Sequence, residues 1–159
     1  MVELIRHPDI LAAAQKELDS IIGLFRLVSE LDLNNVPLLQ PIIKETFRLH
    51  PPVPLLIPHT ASEACGENAN VDVKGSHFEL IPFGPGRRIC LRMRLGLRMT
   101  TLMLANLVHG FDWALLYGFT PETLNLDIKF GLTLEQSVPL VARPIPRLAH
   151  DAYSMEILI

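Results

Sequence analysis

The sequence predicts a mainly α chain with small β elements. Apolar residues recur at helical spacing in three stretches. Prolines, 13 among 159 residues, cluster where those stretches stop. The C-terminal third then changes to short extended runs between turns. Proline ends helices and biases its neighbours toward extended backbone, so the chain divides into helices and long connections.

The first helix is predicted over residues 9–22. Leu11, Ala14, Leu18, Ile21 and Ile22 make one buried stripe, Asp9 can cap it or Pro8 can fill its first turn, and Gly23 stops it. A second helix is predicted from about Val36 to Leu49. Pro37 lies near its start and Pro51 and Pro52 end it, with Leu39, Ile42, Ile43, Phe47 and Leu49 facing partly inward. Residues 51–58 read as extended and 61–77 as loop. Phe83 to Cys90 is a glycine-containing turn. Residues 91–109 form the strongest helix. Leu91, Leu95, Met99, Leu102 and Asn106 fall near one face, and Leu97, Leu104 and Val108 fill another, which predicts a buried helix. Leu132–Leu134 and Val138–Val141 are candidate strands that could pair. No internal repeat or linker is visible.

Composition narrows the function. At 49% hydrophobic the chain can build a sizeable core, and its net charge of −3 gives no field that favours nucleic acid or an anionic membrane. Arg87, Arg88, Arg92, Arg94 and Arg98 cluster, but without the interleaved aromatics of a nucleic-acid surface. Cys65 and Cys90 are the only cysteines and form no C-x-x-C pair, which argues against a disulfide-stapled secreted domain and leaves Cys65 without a role. His50, His59, His77 and His109 lack metal-ligand spacing and read as structural or exposed. The N-terminus shows no signal peptide, and no apolar run is long enough for a membrane anchor.

The informative segment is Pro82-Phe-Gly-Pro-Gly-Arg-Arg-Ile-Cys90. It places a cysteine at the start of a long apolar helix, where unpaired N–H groups and partial positive charge favour a thiolate. Gly84 and Gly86 let the backbone turn tightly and approach a flat ligand. Arg87 and Arg88 suit carboxylates. A thiolate in an apolar, glycine-lined setting beside an arginine is what axial haem ligation requires.

Phe83, Gly86, Arg88 and Cys90 resemble the cytochrome P450 signature F-x-x-G-x-R-x-C-x-G. The block Lys44-Glu-Thr-Phe-Arg-Leu-His-Pro51 adds the family's E-x-x-R pair as Glu45 and Arg48. Segments such as Glu3-Leu-Ile-Arg-His-Pro8, Leu95-Gly-Leu-Arg-Met99 and Leu107-Val-His-Gly-Phe-Asp-Trp113 are similar to plant flavonoid 3′-hydroxylases. The resemblance implies a partial cytochrome P450 fold, its C-terminal haem-binding portion, as a single incomplete domain over residues 1–159. It implies haem b, with Cys90 on iron, Arg88 on a propionate, Phe83 and Gly86 beside the cysteine, and Glu45 and Arg48 as a structural pair. It implies a flavonoid substrate, with NADPH electrons arriving through NADPH–cytochrome P450 reductase, at the endoplasmic-reticulum membrane. The chain as written, without an anchor, would be cytosolic.

Three departures from the family pattern carry their own expectation. The glycine two residues after the cysteine is Arg92 here. Residues 66–70 mark an apparent internal deletion, and His59 stands where a propionate-binding arginine is expected. Together with an upstream region expected before Met1, they predict a chain that is inactive alone. The competing class is a non-enzymatic remnant or interaction fragment.

Overall fold

A computed structural model describes residues 1–53, 81–84, 86–116, 118–129, 131 and 133–154. The readings made on Cys65, His59, His77, the loop over 61–77, the segment 66–70 and the extended stretch beyond residue 53 lie outside the described residues.

Helix α1 (Val2–Arg6) and helix α2 (Pro8–Ile22) meet at His7. Of the two predicted starts for α2, the proline one holds. Pro8 takes the first helical position, where its missing N–H costs nothing, and Asp9 lies in the first turn, favourably placed toward the helix dipole. Gly23 ends the helix, and its N–H donates to the Asp19 carbonyl at 3.0 Å.

The second predicted helix starts later than expected. Residues Glu30–Asn35 form a 3-10 turn, and helix α3 spans Leu39–Leu49. The turn is locked by a capping box, in which the Asp32 carboxylate accepts from the Ser29 N–H at 2.8 Å and its hydroxyl at 2.6 Å. Arg26 grips the same carboxylate through two nitrogens at 2.6 and 2.9 Å, and these bonds hold the Asp32 carboxyl well below the ordinary carboxylate range. The start of α3 is fixed from outside. Glu17 of α2 accepts the Leu38 N–H at 3.1 Å, so an acidic side chain meets the positive end of a helix.

Helix α4 (Met93–Gly110) packs on α2, α3 and the 3-10 turn. Ala14, Leu18, Val28, Leu33, Leu39, Ala105 and Val108 belong to one core cluster. Asn106 ties the loop to α4, with its side chain accepting from the Val28 N–H at 3.0 Å and donating to the Val28 carbonyl at 3.1 Å. The expectation that α4 is buried on more than one face is corrected. Thr101, Ala105 and Val108 are buried, whereas Leu95, Met99 and Met103, at four-residue spacing, are at least half exposed.

The strands also differ from expectation. Strand β1 (Phe111–Leu115) leaves α4 directly and pairs antiparallel with β4 (Ala142–Pro146), with Phe111 opposite Pro146 and Leu115 opposite Ala142. Between them β2 (Ile128–Lys129) and β3 (Glu135–Gln136) make a minimal second ribbon. Val138–Val141 does not form a strand, Leu132 lies outside the described residues, and Leu134 instead donates its N–H to the Pro52 carbonyl at 2.9 Å. Strand β4 carries Pro144 and Pro146. In a two-stranded ribbon every strand has an open edge, where proline is tolerated.

After β4 the chain folds back over the end of α4. The Tyr153 hydroxyl accepts the N–H groups of Arg147 and Leu148, both at 3.0 Å, and donates to the Gly110 carbonyl. Tyr153→Phe keeps the ring but strands these polar groups. Its expected cost is about 1–3 kcal/mol, read as a lower denaturant midpoint in chemical unfolding.

Candidate functional site

The segment Ile81–Met93 builds its geometry from backbone bonds. Gly84 and Gly86 have φ of 79° and 62°, a region closed to most side-chain-bearing residues. Gly84 donates to the Ile81 carbonyl at 3.1 Å, and residues Gly86–Arg88 make one 3-10 turn. The Cys90 N–H closes the loop on the Phe83 carbonyl at 2.9 Å, and the Cys90 carbonyl takes the Met93 N–H at 3.2 Å. Cys90 therefore sits three residues before Met93, the first residue of α4, and two before its N-cap Arg92. It is exposed and a free thiol.

Phe83 joins this loop to two helices. Its ring meets Phe47 of α3 edge-on, with centroids 5.9 Å apart and planes at 79°. On the other side it lies against Gly96 of α4, where an added Cβ would come within 3.2 Å of Phe83 Cε1. Gly96 is thus the close-approach residue under the cysteine loop, which the sequence reading did not single out. Its signal was a glycine inside an apolar helix. Gly96→Leu is expected to push Phe83 off Phe47 at a cost of about 1–3 kcal/mol. Thermal unfolding of the variant measures it, and an unchanged midpoint would mean that the ring is not wedged.

Glu45 and Arg48 lie on α3 on either side of Phe47. Arg48 Nε donates to Glu45 Oε2 at 2.8 Å and its terminal nitrogen to Oε1 at 2.7 Å. Both side chains are more than half exposed. The bidentate bonds lower the Glu45 pKa and raise that of Arg48. An exposed pair of this kind orients its partners more than it stabilises the chain. Phe47 thus links the Glu45–Arg48 helix to the cysteine loop through the Phe83 ring.

The structure brings Phe83, Gly86 and Cys90 into one loop. The backbone of Arg88 ends the 3-10 turn, and its side chain lies outside the described residues. Arg92 occupies the N-cap position of α4 and is exposed, making no side-chain capping bond.

The donor set fits a haem iron. The thiol is reachable, the space beside Gly86 is open, and Leu91 next to the cysteine is fully exposed. Among the described residues no group of three or more His, Cys, Asp or Glu side chains could hold a metal ion. A single sulfur is what a macrocycle with its own equatorial nitrogens asks of the protein.

Such a cysteine loop, joined to a helical layer with small ribbons, is compatible with thiolate ligation of a haem. Residues 1–68 and 66–137 match the Cytochrome P450 family model, and the chain belongs to that family. The family's cofactor is haem iron, with electrons supplied by a reductase.

The chain is similar to flavonoid 3′-monooxygenases. It is 46% identical over 196 aligned positions to one from Arabidopsis thaliana, covering 98% of this chain and 38% of that protein. It is 45% identical to the rice protein CYP75B3, covering 98% and 37%. A flavonoid 3′,5′-hydroxylase of Crocosmia x crocosmiiflora is 40% identical, covering 97% and 37%. The chain thus spans a little over a third of the length of these curated relatives. A zebra fish cytochrome P450 solved with abiraterone superposes with a TM-score of 0.72 at 23% identity, covering 92% of this chain and 41% of that one, and a progesterone-bound structure gives 0.71. At that identity the likeness concerns the fold alone. No helix among the described residues is long and apolar enough to cross a membrane.

Proposed function

We propose that this chain is the haem-binding portion of a flavonoid 3′-hydroxylase-type monooxygenase. The carrying observation is the Phe83–Cys90 loop, closed at the start of α4, in a chain 46% identical to a flavonoid 3′-monooxygenase. Cys90 supplies the thiolate. Gly86 lets the backbone pass close to the macrocycle, Phe83 packs behind the loop, and Arg88 pairs with a propionate. Glu45 and Arg48 hold α3 against this assembly through Phe47 and Phe83. When bound, thiolate-ligated haem supplies oxygen activation and insertion of one oxygen atom into a C–H bond.

The substrate is then a flavonoid, hydroxylated on its B ring, and the partner is NADPH–cytochrome P450 reductase at the endoplasmic-reticulum surface. Support comes from the activities for which the relatives are named, which include both 3′- and 3′,5′-hydroxylation. A chimera tests the substrate class: residues 1–159 replace the matching part of the Arabidopsis relative, and flavonoid hydroxylation is assayed with a plant reductase. Haem binding with hydroxylation of a flavonoid supports the reading. Haem binding with no turnover of any flavonoid removes the substrate class and keeps the haem site.

A second reading, a non-enzymatic remnant, rests on two observations. Arg92 stands in the glycine position after the cysteine, and the Arabidopsis alignment runs over 196 positions where this chain has 159 residues. The same chimera failing to take up haem would favour it.

A further inference from the structure

His109 is fully buried near the end of α4. Its Nε2 lies 2.9 Å from the Gly23 carbonyl, which can only accept, so the proton sits on Nε2. Its Nδ1 is buried and has no hydrogen-bond partner among the described residues. The neutral ring leaves a bare lone pair there, at modest cost. The protonated ring would place an N–H in the same spot with nothing to receive it, and burying an unpaired charged donor is far more costly.

The charges around the ring come from three elements. From α2, Asp19 Oδ1 is 3.6 Å from Nε2. From the loop after α2, Arg26 is near enough to oppose a second cation. From the segment after β4, Arg147 donates to the His109 carbonyl at 2.9 Å and to Asp19 Oδ2 at 2.8 Å. Asp112 of β1 holds the other side of Arg147, at 3.1 Å from its Nε. Asp19 is thus the shared anion that binds the C-terminal segment to α2. A charged imidazole would compete with Arg147 for it and would sit beside the Arg147 guanidinium.

We propose that His109 is an acid-sensitive latch on the C-terminal segment. Neutral, it lets Asp19 and Arg147 tie residues 147–153 to α2 and to the end of α4. Protonated, it leaves its pocket, the tie opens, and the segment detaches while the three-helix core stays folded. Beyond that tie the segment is held by Arg147 N–H to the Gly110 carbonyl, Ala149 N–H to the Leu24 carbonyl, the Arg147–Asp112 ion pair, the Tyr153 hydroxyl and ring contacts and the buried Leu148 side chain.

The direction of titration agrees. Burial lowers the His109 pKa most, the Gly23 bond and Asp19 raise it, and Arg147 and Arg26 lower it, with a net fall below the ordinary histidine value. A lowered folded-state pKa means that the contribution is complete above the unfolded histidine value. It is lost as pH falls from there through the folded pKa.

Two measurements on the full 159-residue chain test the latch. Amide hydrogen exchange of Arg147, Leu148 and Ala149 is followed from pH 8 to pH 5 after correction for intrinsic rates. Exchange of these amides is expected to accelerate below about pH 6.5, by up to about tenfold per pH unit, while Leu18 and Ala105 stay protected. His109→Gln keeps a donor for Gly23 but cannot titrate, and it should flatten that profile. Should the variant fail to fold, the ring titration of the native protein by NMR decides instead. A folded-state His109 pKa at or above the ordinary value, or equal pH profiles for the chain and His109→Gln, would overturn the latch.

Discussion

Replacing Cys90 by alanine is expected to abolish the thiolate-type spectrum of the reconstituted chain and leave its folding almost untouched. The separation follows from where Cys90 sits. Its side chain is exposed, so the substitution removes no core contact. The loop that presents it is held by backbone bonds, chiefly Cys90 N–H to the Phe83 carbonyl, which alanine keeps. An exposed substitution away from caps and networks changes stability by about 0.5 kcal/mol or less. A haem iron held as proposed would, by contrast, lose its thiolate ligand. Haem spectroscopy and chemical unfolding of the same variant read the two effects independently. A variant that loses both together would mean that Cys90 is structural.

Leu18→Ala is expected to have the opposite profile and the largest effect on folding. Leu18 is completely buried on α2, in the same cluster as Ala105 and Val108 of α4. Truncating a buried leucine costs about 2–5 kcal/mol, the lost transfer energy plus the cavity left behind. A domain of this size has only about 5–15 kcal/mol in total, so that loss threatens the fold. Leu95→Ala on the exposed stripe of the same α4 serves as the control, because it removes little buried area. Urea unfolding of the two variants should differ by at least about 2 kcal/mol. Equal costs would mean that the exposed stripe is packed in solution.

Local rules made the helices and the cysteine loop legible. Helical spacing located α2 and α4 to within two residues, because each presents a stripe to a single core. The spacing of Phe83, Gly86, Arg88 and Cys90 depends on one tight loop, and the structure draws Phe83, Gly86 and Cys90 into it. What failed was set by distant contacts. The start of α3 was misplaced because a capping box and Glu17, on another element, decide it. Strand β4 was not predicted; its Pro144 and Pro146 are tolerated because pairing with β1 alone leaves it an open edge. The exposed Leu95, Met99 and Met103 contradicted a reading that took apolar for buried. His109, Asp19 and Arg147 are as much as 128 residues apart in sequence, and no local pattern joins them.

Ligation of haem iron by Cys90, ahead of α4, is the proposal on which the functional reading of this chain rests. The ferrous–CO difference spectrum of the purified, haem-reconstituted chain tests it most directly. The expected result is the long-wavelength band of a thiolate-ligated haem, lost in Cys90→Ala. Only the shorter-wavelength band of a haem without its thiolate, the same in both proteins, would contradict it.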